Sequence, residues 1–273
     1  MTWPVLKTRK LLRLYKVNRQ GLLLAVSFLT RIPVNIEMPI ADNALNEASR
    51  YFAIVGGAIG AALALLYCGL QFLFPDSMAI IIVLASGLIL TGAFHEDGFA
   101  DVWDGFGGGW SVSQKLTIMK DSRLGTYGAT SLVLLLLAKY ELLMLLADHW
   151  LWVSAALICA HTLSRAMATS IIGRLAYVQE DAQSKVKPVA KALSRQSLKV
   201  LYCSAGSLLL VMWLTQLFSS IECLLLICVL WLTRFLCITW FKSQLRGYTG
   251  DCLGAAQQIA ELVIYGFCVQ VWL

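Results

Sequence analysis

The chain has 273 residues, of which 59% are hydrophobic and 14% charged, and its formal net charge is +6. Its mean hydropathy of +0.72 lies well above that of soluble domains, which are about half apolar, so a soluble globular fold is excluded. No groove-reading module accompanies the positive charge, so it reads as attraction to an anionic membrane surface and not to nucleic acid. The eight cysteines form no CxxC pair and mostly lie in apolar runs; they read as small buried hydrophobes, not metal or redox ligands.

The N-terminal MTWPVLKTRKLLRLYKVNRQ is basic. The apolar stretch behind it lacks a small-residue cleavage site, so no cleaved signal peptide is expected. That stretch, Gly21–Val34, is short and ends in Arg31 and Pro33, which suits a re-entrant or interfacial helix. Seven apolar runs follow: Arg50–Phe74, Met78–Phe94, Thr126–Ala147, Trp150–Ile172, Leu198–Phe218, Ile221–Phe241 and, weakest, Leu253–Leu273. A helix of about 18 or more apolar residues can cross the hydrocarbon core. The expected fold is therefore all-α, a polytopic transmembrane helix bundle of about seven spans plus the N-terminal helix, with residues 1–273 as a single integral membrane domain.

The links at Pro75–Ser77, Asp148–His149 and Ser219–Ser220 carry no Lys or Arg, whereas the other connections are basic. Lys7, Arg9, Lys10, Arg13, Lys16 and Arg19 precede the first span. Lys115, Lys120 and Arg123 follow the second, Arg174, Lys185, Lys187, Lys191, Arg195 and Lys199 the fourth, and Lys242 and Arg246 the sixth. Positively charged links stay in the cytoplasm. All four basic regions share one side only if Gly21–Val34 does not cross, so charge supports the re-entrant reading independently.

The stretch HEDGFADVWDGFGGG, residues 95–109, concentrates acid in this apolar chain. It directly extends the second apolar run, so its carboxylates are expected near the membrane surface. Asp97, Asp101 and Asp104 are spaced four and three apart, which stacks them on one helix face. Carboxylates so stacked repel one another unless a cation lies between them. Oxygen-only ligands suit a hard ion such as Mg²⁺, often completed by substrate phosphates. Glu96 points to another face, and His95 is expected to be structural or to support the ligands. Gly105, Gly107, Gly108 and Gly109 would let backbone N–H groups approach a ligand.

In MKDSRLGTYG, residues 119–128, Arg123 can clamp phosphate with two parallel hydrogen bonds and Lys120 can act as a point charge; both read equally as membrane-surface anchors. In GYTGDCLGAAQQIAE, residues 247–261, Asp251 stands at a helix start and reads equally as an N-cap or as a site carboxylate. Glu261, His161 with Arg165, and Arg234 lie inside spans, where charge marks function and Glu261 needs a partner. Lys139 and Glu141 do not face each other and read as structural or snorkelling.

These three segments, HEDGFADVWDGFGGG, KLTIMKDSRLGTYG and GYTGDCLGAAQQIAE, with the early FLTRIPV (Phe28–Val34), resemble the signature regions of the cobalamin synthase family, the adenosylcobinamide-GDP ribazoletransferases. The likeness extends over nearly the whole chain. One departure is Glu96, where the family pattern leads one to expect an apolar residue such as Leu; the aspartate spacing is unaffected. The resemblance implies a Mg²⁺-dependent transferase of the bacterial cytoplasmic (inner) membrane or of archaeal membranes. It would join adenosylcobinamide-GDP to α-ribazole, or its 5′-phosphate, to give adenosylcobalamin, or its 5′-phosphate, and GMP.

Under that reading Asp97, Asp101 and Asp104 hold Mg²⁺, and Asp104 or Asp121 accepts the hydroxyl proton. Lys120, Arg123, Gly107, Gly108, Arg165 and Asp251 contact substrate. The lipid bilayer is the expected environment, and a homo-oligomer is compatible with it. Two other readings stand beside this one. A CDP-alcohol phosphotransferase also uses spaced aspartates, but its DGxxAR arrangement is not matched by Asp97-Gly98 and the FADVWD that follows. A cation transporter would place its carboxylates near mid-membrane and often shows internal repeats, absent here.

Overall fold

The computed structural model describes residues 18–36, 43–178, 190 and 192–273. The basic positions Lys7 to Lys16 and Lys185, Lys187 and Lys191 therefore lie outside the described residues. In chain order the elements are α1 over residues 18–29, α2 (Ala44–Ala48), a 3-10 turn (Ser49–Tyr51), α3 (Phe52–Leu70), α4 (Asp76–Thr91), α5 (Phe94–Gly108) and α6 (Val112–Met119). They continue with α7 (Thr126–Leu145), α8 (Trp150–Thr169), α9 (Arg195–Leu214), α10 (Ser220–Leu245) and α11 (Gly250–Trp272). No strand occurs among the described residues; Tyr177 and Tyr248 make an isolated bridge. The bundle is helical, as the apolar runs predict.

Among the described residues six helices are long and apolar enough to cross a membrane, and α4 with α5 makes a seventh if that bent pair counts as one span. Their burial divides them. The apolar window of α8 is 83% buried, whereas those of α9 and α10 are each 17% buried. Thus α8 is central and α9 and α10 are peripheral. α8 packs on α3 and α11. Gly56 and Gly60 of α3 lie against the α8 backbone, where a Cβ on Gly60 would come within 2.6 Å of the Leu157 carbonyl oxygen. Small residues four apart bring two membrane helices into such contact, where lipid gives little hydrophobic drive to associate.

The second span and the acidic stretch are not one continuous helix. Gly92 and Ala93 both adopt left-handed backbone, with φ of 68° and 54°, and α5 leaves α4 at 88°. Gly92 is the C-cap of α4, and its N–H and that of Ala93 are taken by Ile89 and Leu88 carbonyls, a common way to end a helix. The expectation of direct extension is corrected accordingly: α5 turns away from α4 and lies against α11, α7 and α6. At α1, the helix ends before Thr30, and the Arg31 amide donates to the Leu90 carbonyl of α4 at 2.8 Å. Through this bond α1 hooks onto the end of α4 that leads into α5.

Candidate active site

Asp97, Asp101 and Asp104 all lie on α5. Asp97 is exposed, Asp101 half-buried and Asp104 buried. Asp104 turns its carboxylate onto the start of α7: one oxygen accepts from the Gly125 amide at 2.7 Å and the other from the Gly128 amide at 2.8 Å. A helix N-terminus offers unpaired N–H groups and a positive dipole end, so a carboxylate from a neighbouring helix satisfies both. A Cβ at Gly125 or Gly128 would collide with that carboxylate. The GTYG sequence is therefore shaped to close on Asp104, which serves as the anchor of α7.

With Asp104 engaged there, the third carboxylate beside Asp97 and Asp101 comes from α11. Gly98 of α5 lies against Asp251, where a Cβ would come within 2.9 Å of the Asp251 Cα. Asp251 is not the helix cap: Thr249 takes that place, its hydroxyl accepting from the Cys252 amide at 3.3 Å. Burial, then Asp251, Asp97 and Asp104 in that order, push the Asp101 carboxyl up to about 8. An unneutralised cluster of like charge does this. Its all-oxygen donors are those a hard divalent cation prefers. Among the described residues no three His, Cys, Asp or Glu side chains stand close enough to hold a metal between them. The α5 stripe thus does not close into a three-carboxylate cage, and an ion here would need water or substrate oxygens to complete its shell.

The remaining predicted residues sort by place. Gly107 and Gly108 are helical, not a loop, and Gly107 lies under the Tyr127 ring. Their amides belong to the α5 ladder, so the expected glycine cradle is not formed by them. Lys120 is exposed in the link between α6 and α7. In the same link Arg123 Nη2 donates to Asp121 Oδ2 at 2.6 Å. That guanidinium holds the Asp121 carboxyl down to about 2, which makes Asp121 a poor proton acceptor near neutrality.

A cobalamin-5-phosphate synthase sequence profile matches residues 21–269. The chain belongs to that family. It is 49% identical over 245 residues to the adenosylcobinamide-GDP ribazoletransferase of Shewanella piezotolerans, covering 89% of this chain and 92% of that one. It is 44% identical to the enzyme of the same name from Vibrio parahaemolyticus over 246 residues, 89% of each chain. With that from Shewanella amazonensis it shares 44% over 259 residues, 94% of this chain and 98% of the relative. No solved structure matches.

Behind the acidic face the bundle interior holds a second polar group that the sequence reading did not assemble. Lys139 of α7 donates to Glu261 of α11 at 2.7 Å and to Gln258 at 2.5 Å. Gln258 in turn donates to Glu96 at 2.9 Å. Gln257 donates to Glu261 at 2.6 Å and to Ser164 of α8 at 2.9 Å. Arg165 Nη1 contacts His161 Nδ1 and carbonyl oxygen, both at 3.0 Å. Two cations, Lys139 and Arg165, balance two carboxylates, Glu96 and Glu261, so little net charge is buried. The partner expected for Glu261 is Lys139. The signal was available, since both are charges inside spans, where a partner is expected. Arg234 instead bonds Ser170 Oγ at 2.8 Å, tying α10 to the end of α8.

Proposed function

We propose that this chain is an adenosylcobinamide-GDP ribazoletransferase whose reacting centre is the face formed by Asp97, Asp101 and Asp251. Family membership supports the reaction. The crossing of α5 and α11 at Gly98 and Asp251 is the observation that carries the site, because it brings carboxylates from two signature segments together. A ribose hydroxyl of α-ribazole, or of its 5′-phosphate, attacks the phosphorus attached to cobinamide. The new P–O bond replaces the anhydride bond, and GMP leaves with the bonding electron pair.

Repulsion between the diphosphate and the incoming oxygen is the difficulty. A Mg²⁺ ion at this face, bound through one or two of the carboxylates of Asp97, Asp101 and Asp251 with water or substrate oxygens completing its shell, would neutralise that charge and the charge on GMP. Asp104 keeps α7 against α5 and so sets the position of the exposed link that carries Lys120 and the Arg123–Asp121 pair, from which Lys120 can reach phosphate. Neither Asp104, held by two amides, nor Asp121, held by Arg123, is placed to take the hydroxyl proton, which passes to water. The Lys and Arg residues at this end of the bundle, Lys115, Lys120, Arg174, Lys199, Lys242 and Arg246, support a cytoplasmic site in the inner membrane of a bacterium.

The test is nucleotide release. Purified full-length protein given adenosylcobinamide-GDP, α-ribazole and Mg²⁺ is expected to liberate GMP in step with corrinoid product, and to stop when the metal is chelated. CMP release from CDP-diacylglycerol and an alcohol, with no GMP from the corrinoid, overturns the assignment.

A further inference from the structure

The charges buried between α7, α8 and α11 balance one another, but one cation inside a span lies outside that network. Arg234 belongs to the apolar span Ser220–Leu245 and is half-buried. Its Nε donates to Ser170 Oγ at 2.8 Å and its Nη2 to the Ser170 carbonyl oxygen at 3.0 Å. Both acceptors are neutral, and Nη1 makes no hydrogen bond. Among the described residues Arg234 pairs with no carboxylate. The spans α8 and α9 contain no Asp or Glu, and the one acid of α10, Glu222, caps its opposite end. A charge inside a span is costly and normally has a partner, so Arg234 lacks an anion.

Arg234 lines a crevice between α8, α9 and α10. Ser170 and Tyr202 are the other polar residues of its wall, Trp231 lies beneath the guanidinium at 5.3 Å, and the rest is apolar, with Leu163, Leu209 and Ile227 among it. Tyr202 and Trp231 are exposed, so the crevice opens on the outer surface of the bundle, between two helices whose apolar windows are each 17% buried. Its volume of about 110 Å³ is below the roughly 300–1,000 Å³ of a small-molecule site. It suits a flexible chain that fills it in part and continues along the surface. Two further cations stand at its mouth. Arg174, in the link after α8, is close enough to act on Arg234 electrostatically. Lys199 precedes Tyr202 by about one turn of α9 and shares its face. Both are exposed.

We propose that this crevice binds an anionic phospholipid, its phosphate on Arg234, Arg174 and Lys199 and one acyl chain along the apolar wall. The proposal is independent of the transferase reading. Basic pockets between transmembrane helices suit anionic head groups, and Trp and Tyr favour the level at which those head groups lie. Three cations with no acid among the described residues select a lipid of net negative charge over a zwitterionic one. Bound there, the lipid joins the peripheral α9 and α10 to α8 and supplies the anion that Arg234 lacks.

Native mass spectrometry of the full chain in a mild nonionic detergent tests this, with phosphatidylglycerol and phosphatidylcholine of identical chains as probes. Wild type is expected to retain one phosphatidylglycerol, at least about tenfold in preference to phosphatidylcholine. Arg234→Gln is expected to abolish that preference. Because this change also breaks the tie to Ser170, Arg174→Gln and Lys199→Gln give a second route: both residues are exposed, and the tie stays intact. Each is expected to lower the preference about fivefold, the scale of one basic residue at an anionic membrane surface. Equal retention of the two lipids by wild type, or an unchanged preference in the Arg174 and Lys199 variants, overturns the proposal. Millimolar inorganic phosphate is expected to leave the lipid bound, because the chain holds it as well as the head group; displacement would mark a site for a free anion and overturn the proposal too.

Discussion

Lys139 Nζ and Glu261 Oε1 lie 2.7 Å apart, with each side chain 3% exposed, in the interior between α7 and α11. Removing one member strands the other charge away from water, which costs about 3–5 kcal/mol, whereas replacing both with apolar groups of similar size is often nearly neutral. Lys139→Met and Glu261→Met are each expected to lower thermal stability in detergent steeply. The double variant is expected to recover most of the loss, checked by a double-mutant cycle on unfolding. Additive losses would mean that the two charges do not depend on each other.

The anchor of α7 makes a second prediction. Asp104 accepts two backbone N–H bonds. Asn in its place turns an NH₂ donor toward one of those amides, so the isosteric change should cost about 1–3 kcal/mol, the range for a buried group left unsatisfied. Gly128→Ala, whose Cβ would meet the same carboxylate, should act in the same direction. Both are expected to loosen the α5–α7 contact, measured as faster amide exchange over residues 120–130 while exchange in α8 is unchanged.

Much of this was legible in the sequence. Long apolar runs at the membrane-crossing length stand out because lipid permits few charges there, and the spacing of Asp97, Asp101 and Asp104 correctly placed them on one helix. The 88° turn between α4 and α5 was not legible, because it rests on Ala93 adopting left-handed backbone, for which Ala gives no sign. Nor was the exchange of Asp104 for Asp251 at the acidic face. Which carboxylate is free depends on which backbone amides α7 presents, and that is a tertiary fact. Lys139 was not legible for a similar reason: the nearest acid in sequence is Glu141, two residues away on its own helix, whereas its partner Glu261 lies on α11.

The four carboxylates at and beside the proposed reacting centre are expected to separate by role. Asp97→Asn, Asp101→Asn and Asp251→Asn should each reduce turnover at least about 10³-fold, the scale for losing charge stabilisation at a phosphoryl centre. Asp121→Asn should reduce it less than about tenfold, because its carboxylate serves an exposed pair with Arg123, and such pairs contribute little. All four should insert into membranes normally. Equal losses at Asp121 and Asp97 would move the reacting centre toward the α6–α7 link.

At the proposed centre a metal ion would compete with a proton for Asp101. Its carboxyl, ordinarily near 3.8, is raised to about 8 without a cation, so below that pH an incoming ion must displace a proton. Because the folded value is the higher one, the protonated carboxyl favours the metal-free fold. That contribution is complete below about pH 4 and is lost as pH rises through about 8. Two outcomes follow from the sign. The Mg²⁺ concentration for half-maximal GMP release should fall by up to about tenfold per unit between pH 6 and 8 and level off above. The thermal stabilisation given by Mg²⁺ should grow over the same interval. Asp101→Asn should abolish the pH dependence of that stabilisation; a steep dependence surviving in the variant would assign the competing proton to another group.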